Sequence, residues 1–189
     1  MSGGGATAPD SVLQAVITAA VEASGALDGW IASALEAELT IVAAAGEAAT
    51  DLVGRSLPAR GCSARFVIDS GQPVALTPHG DTDEVGRAVM GLTGRQPSSI
   101  LSAPCSAGGR IVGAIELVDK AGGDRFSFDD LEIVALLAGI AATAIIDARH
   151  AGPDHPSADV LAAGLHSLSI ADPTRFSTVA GILAALLGS

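Results

Sequence analysis

Residues 110–147, RIVGAIELVDKAGGDRFSFDDLEIVALLAGIAATAIID, read as a strand, a turn and a long helix. The segment 111–118 is rich in β-branched residues and apolar on both alternating faces except at Glu116. A strand of that kind is central and covered on each side. Residues 119–124 form a polar, glycine-rich turn. Ser127 then stands as an N-cap, with Asp130 three residues on to close a capping box, and Phe126 and Leu131 occupy the two positions of a hydrophobic staple. The helix is predicted from Phe128 to about Arg149. Leu131, Val134, Ala138, Ala141 and Ile145 make one apolar stripe along it, and Ile133, Leu136, Leu137, Ile140 and Ala144 make a second. One stripe covers the sheet. The other needs its own cover: a helix from residue 11 can provide part, and a second subunit is the simpler complete answer.

Working outward, residues 11–23 repeat apolar side chains at helical spacing, and Ser24-Gly25 ends that helix. Strands are predicted at 29–33, 39–45, 74–76 and 100–106, with a hairpin turn at Ala107-Gly108-Gly109 leading into residue 110. Short helices are predicted at 48–53 and around 84–92, with an exposed loop through Arg55, Arg60 and Gly61. The run Phe66-Val67-Ile68 by itself reads as strand. Residues 1–9 read as a flexible tail and 150–157 as a linker. Beyond it, 158–168 forms a short helix, and Asp172-Pro173 starts another with an N-cap followed by proline at the first helical position.

Five pieces in order carry a family resemblance: LTIVAAAG (39–46), LVGRSLP (52–58), SGQPV (70–74), SSILSAPC (98–105), and the run from Gly108 to Ile145. Together they resemble a GAF domain over roughly residues 10–148. The resemblance implies an α+β fold, an antiparallel sheet of five or six strands. N-terminal and terminal helices lie on one face and a small-molecule pocket on the other. It also implies a helix over residues 64–69, against the local strand reading, and a sensory or regulatory role. The expected organisation is a tail at 1–9, a GAF-like domain at 10–149, the linker, and a helical extension at 158–189.

Composition narrows the functional classes. Of the 189 residues 49% are hydrophobic and 16% charged, a globular composition, and the formal net charge is −11. Residues 1–54 hold acidic side chains and no Lys or Arg, which argues against nucleic-acid binding. The longest nearly uncharged apolar run, 133–146, falls short of the ~20 residues that span a bilayer. Two distant cysteines, outside any C-x-x-C spacing, imply neither a disulfide framework nor a thiolate metal site. A reduced, cytoplasmic protein that binds neither nucleic acid nor membrane is expected.

Six residues are ligand-pocket candidates: Phe66, His79, Ser98, Ser99, Cys105 and Glu116. Glu116 is a carboxylate on an apolar face and needs a partner, either a loop amide, an arginine or a ligand. His79 lies where the resemblance places the pocket's edge, and a solvated loop imidazole is the plainer reading. Ser98 and Ser99 either donate to a ligand or cap a turn. Cys62 and Cys105 suit structural thiols better than redox chemistry. One GAF branch reduces free methionine sulfoxide with cysteines beside a Tyr-Gln-Gly segment, and this chain has no tyrosine. Cyclic-nucleotide-binding members carry Asn-Lys and Phe-x-x-x-Asp-Glu; here Asp119-Lys120 and Phe126 to Asp130-Leu131 stand in those places, without the final acid. No catalytic motif and no metal set is present. No cofactor is assigned. The expectation is a non-enzymatic regulatory module that senses a small molecule or a partner. It would dimerise through helices 11–23 and 128–148 and offer residues 158–187 to a protein partner. The competing readings are an adaptor with a filled pocket and a cysteine-dependent reductase.

Overall fold

The computed structural model describes residues 11–35, 38–79, 83–123, 125–150 and 158–187. Residues 36–37, between the strands predicted at 29–33 and 39–45, lie outside the described residues, as do most of the 150–157 linker and the tail at 1–9.

The organising strand β6 runs Arg110–Lys120, between β1 (Ala26–Ser33) and β5 (Ile100–Ala107), antiparallel to both. β2 (Leu39–Gly46), the two-residue β3 (Ser56–Leu57) and β4 (Val74–Leu76) complete one antiparallel sheet in the order β3-β2-β1-β6-β5-β4. The β5–β6 hairpin closes through Gly108 and Gly109, both at positive φ, as a tight two-residue turn requires.

Two strands differ from the sequence reading. β1 starts at Ala26 rather than residue 29, because Gly25 takes a left-handed turn directly out of α1 (Ser11–Ser24) and Asp28 already pairs with Val118. Asp28 looks like a strand breaker only until its counter-charge is known. β3 falls in a stretch that reads as loop, since its two residues are too short to show any alternation; Leu57 pairs with Leu39 and Ser56 with Thr40.

α1 and α4 (Phe128–His150) pack on one face. Leu13, Val16, Ile17 and Ala20 of α1 and Val134, Ala138, Ala141 and Ile145 of α4 enter one cluster with Ile31, Leu101, Ala103, Ile115 and Leu117 of the sheet. Gly29 lets α1 sit close, because a Cβ there would come within 2.5 Å of Leu117 and 2.9 Å of Val21. The capping box is formed in both directions: Asp130 N–H donates to Ser127 Oγ at 3.2 Å, and Ser127 N–H donates to Asp130 Oδ2 at 2.6 Å. Phe126 is buried and Leu131 half-buried in the same cluster, as a staple requires. The first apolar stripe of α4 is the buried one. The second is split: Ala144 is buried and Leu137 half-buried, while Ile133, Leu136 and Ile140 face outward.

The opposite face carries α2 (Ser63–Ser70) and α3 (Glu84–Thr93). α2 replaces the strand that Phe66-Val67-Ile68 suggests, because helical period sends Ala64 and Val67 inward together and Phe66 outward. α3 is capped by Asp83, whose Oδ1 accepts from Val85 N–H at 2.9 Å and Gly86 N–H at 3.3 Å. The second cluster holds Trp30, Ile41, Leu52, Leu57, Cys62, Val67, Val89, Ile100 and Val118. Val112, which strict alternation would put on the Glu116 face, lies in the α1/α4 cluster near the register shift opposite Cys105 and Ser106.

α4 is long and apolar enough to cross a membrane by length and composition. Its helix exceeds the uncharged run because the capping turn adds Asp129, Asp130 and Glu132. Its buried stripe on the sheet is that of a core helix.

The chain divides into two compact units, 1–147 and 148–189. The second contains α5 (Ala158–Ala171) and α6 (Pro173–Leu187). α5 runs three residues past its expected end. Asp172 caps α6, its Oδ1 accepting from Arg175 N–H at 2.9 Å. Leu165, Leu168, Phe176 and Val179 are half-buried and Ile170 is exposed.

Candidate functional site

Glu116 stands opposite Trp30 of β1 and Ser102 of β5 in the two ladders that flank β6. Cross-strand partners share a face, so the three side chains meet beneath the start of α2. Ser102 Oγ donates to Glu116 Oε2 at 3.1 Å, Ser63 Oγ donates to the same oxygen, and the backbone N–H of Ala64 also bonds the carboxylate. Ser63 and Ala64 open α2, where free N–H groups and the helix dipole favour an anion. Burial pushes the Glu116 carboxyl above its usual range, opposed by these three hydrogen bonds. Trp30 is completely buried, and its Nε1 has no hydrogen-bond partner among the described residues.

A charged network lies at the end of this sheet. Arg95, just after α3, pairs with Asp28 of β1, with Asp119 of β6 at 3.2 Å and with Glu47 at 3.3 Å. Asp28 Oδ1 also accepts from Ala48 N–H at 2.7 Å. Burial acts to lower the Arg95 pKa, but Asp119, Asp28 and Glu47 raise it above the ordinary value. Beside it, Lys120 pairs with Asp130, whose carboxyl is held below its usual range: burial opposes this, and Lys120 with the Ser127 N–H and hydroxyl prevails.

The six candidate residues do not converge. Glu116 lies at the centre of the α2 face. Phe66 is 55% exposed on the outside of α2. His79 is exposed, and its backbone N–H donates to Asp83 Oδ2 at 3.2 Å. Ser98 donates through its N–H and Oγ to Asp119 Oδ1, at 2.6 and 2.9 Å, and Ser99 Oγ accepts from Lys120 N–H at 3.0 Å. Both serines therefore tie down the end of β6. Cys105 is buried in the α1/α4 cluster, behind the sheet from Glu116, and burial alone pushes its thiol up to about 12. Cys62 lies on the Glu116 side, its Sγ donating to Pro58 O, and burial followed by the nearby Glu116 charge raises its pKa. Among the described residues no three of His, Cys, Asp and Glu are placed to hold a metal ion.

Ser63, Ser102, Trp30 and Arg95 belong to these two clusters and are not among the six residues that the sequence offers. Ser102 had a readable signal, a polar residue in an apolar strand at even spacing from Ile100. Arg95 had none, since its partners are 67, 48 and 24 residues away.

A family model described as GAF domain matches residues 6–146. No curated protein matches the chain. Among solved structures, the second GAF domain of DevS from Mycobacterium smegmatis is similar, with TM-score 0.58 and 21% identity over 74% of this chain and 94% of that one. The GAF domain of a phosphoenolpyruvate-protein phosphotransferase from Coxiella burnetii gives TM-score 0.61 and 19% identity over 72% and 82% of the two chains. A type II free methionine-R-sulfoxide reductase from Thermoplasma acidophilum gives TM-score 0.58 and 13% identity over 71% and 89%. At these identities the structures share a fold with this chain, and fold alone assigns no activity.

Proposed function

The chain belongs to the GAF domain family, a fold of sensory and regulatory modules, and on that premise we propose that it is a non-enzymatic regulator acting through protein–protein contact as a homodimer. The observation that carries this reading is the outer face of α4. Ile133, Leu136 and Ile140 are exposed there, Leu136 to 75%, in the last long helix of the domain. Their spacing of three and four residues is a heptad seam, and isoleucine alternating with leucine in that pattern suits two parallel strands. A second copy of α4 is the matching occupant. Val12, exposed on α1, extends the dimer contact to the first helix. Residues 158–187 remain for a partner protein. The net charge of −11 supports a partner other than nucleic acid, and two free buried thiols on opposite sides of the sheet fit a reducing cytoplasm and argue against the reductase reading.

Native mass spectrometry of the full chain tests the proposal. A wild-type dimer that becomes monomeric in Leu136→Glu, with unchanged far-UV circular dichroism, is the expected result. A wild-type monomer at micromolar concentration overturns the dimer.

The α2 face is packed with apolar side chains and its carboxylate is satisfied from within, which supports a module that does not depend on a captured molecule. One observation favours a small-molecule sensor instead: the unpartnered Trp30 Nε1 is a donor ready for an acceptor-bearing guest. A defined small mass released by gentle activation in the same spectra would establish that second reading.

A further inference from the structure

We infer that Arg95 is a latch holding α3 as a movable cover over the Trp30–Glu116 face, so that loss or screening of its ion pairs opens that face to solvent and small solutes. The apolar grip of α3 is slight. Val89 and Gly86 are buried, Val85, Ala88 and Leu92 are half-buried, and Met90 is exposed. Polar ties hold its end instead. The Arg55 guanidinium donates to Gly91 O at 3.1 Å and to Leu92 O at 3.5 Å, meeting carbonyls that a helix terminus leaves unpaired. Gly94 then takes the left-handed conformation that ends the helix (φ 75°), and the next residue is Arg95.

The charges at this point are unevenly buried. The Asp28 side chain is 0% exposed and that of Asp119 9%, while that of Arg95 is 34% exposed. The carboxylates are rooted in β1 and β6; only the arginine arrives from a segment able to leave. Its departure strips two buried carboxylates of their counter-charge, which keeps the closed form favoured. Its partial exposure, with Glu47 largely in solvent, makes the closed form sensitive to salt. Val89 enters the same cluster as Trp30, so the latch and the unpartnered indole donor belong to one assembly. The inference does not depend on the dimer, which uses the other side of the sheet.

Trp30 is the sole tryptophan, so its fluorescence reads this face directly. Acrylamide quenching is measured on the full-length protein for wild type, Arg95→Lys and Arg95→Met. The expected result is a several-fold rise in the quenching constant and a red-shifted emission for Arg95→Met, with far-UV circular dichroism unchanged and Arg95→Lys between the two. A folded Arg95→Met protein with wild-type quenching overturns the latch. If that variant does not fold, the wild type decides. Raising salt from about 0.01 M to about 1 M shortens the screening length from about 30 Å to about 3 Å. Trp30 quenching that rises with salt below the unfolding midpoint supports the latch, and a flat response overturns it.

Discussion

The two faces of this sheet are built on different principles. Against α1 and α4 the interior is mostly apolar, with Val, Leu, Ile and Ala side chains interlocked over Gly29 and the buried Ser24 hydroxyl donating back to Ala20 O of its own helix. Against α2 and α3 the apolar packing surrounds a buried carboxylate, two serine hydroxyls and an indole N–H. The first face obtains its cohesion from area removed from water, which is non-directional. The second depends on hydrogen bonds whose loss leaves a charge uncompensated. One face is suited to carry load. The other is the one whose state can change.

The largest expected effect comes from cutting the apolar face. Ile115→Ala removes a fully buried side chain beneath the helices and should cost ~2–5 kcal/mol in urea unfolding; a loss under about 1 kcal/mol would mean that this face is loosely packed after all. Removing a donor on the other face should cost less. Ser102→Ala leaves Glu116 with Ser63 and the Ala64 N–H, and about 1–3 kcal/mol is expected from the shortfall. A variant as stable as wild type would show that the serine is dispensable to the carboxylate.

The smallest effect separates the faces by pH. Asp130, on the α4 cap, has a folded pKa below its usual 3.8, so the stability it lends is present above that value and is lost as pH falls through the folded pKa. Glu116 has a folded pKa above its usual 4.5, so its contribution is whole below that value and is lost as pH rises through the folded pKa. Glu116→Gln should therefore flatten the thermal midpoint on the rising side of about pH 4.5 and leave the acid side alone. Asp130→Asn should do the reverse. Two variants with the same pH profile would break the distinction.

The apolar face was the more legible in sequence, for a physical reason. Its periods of two and 3.6 are local, so β6, the capping box at Ser127 and Asp130, and the inner stripe of α4 could be read directly. α2 was legible only through the family resemblance, because Phe66-Val67-Ile68 satisfies a strand as well as a helix until Ala64 and Val67 are seen to share a side. Of the polar face only Glu116 was anticipated. Ser63 and Trp30 reach it from far along the chain, and nothing in their neighbours announces that meeting. Ser98 and Ser99, which read as ligand donors or turn caps, bond Asp119 and the Lys120 N–H at the end of β6.

Ile115, Glu116 and Leu117 are consecutive residues that look alternately into the two layers. Residues that serve the two layers are thus only one peptide step, about 3.3 Å, apart along the strand. Such a strand is a shared wall rather than a relay. Any displacement of β6 caused by rearrangement around Glu116 is at once a displacement of the floor on which α1 and α4 rest, with no chain of intermediate residues to carry it. A rearrangement on one side would be felt by α1 and α4 as a change in the shape of their own support.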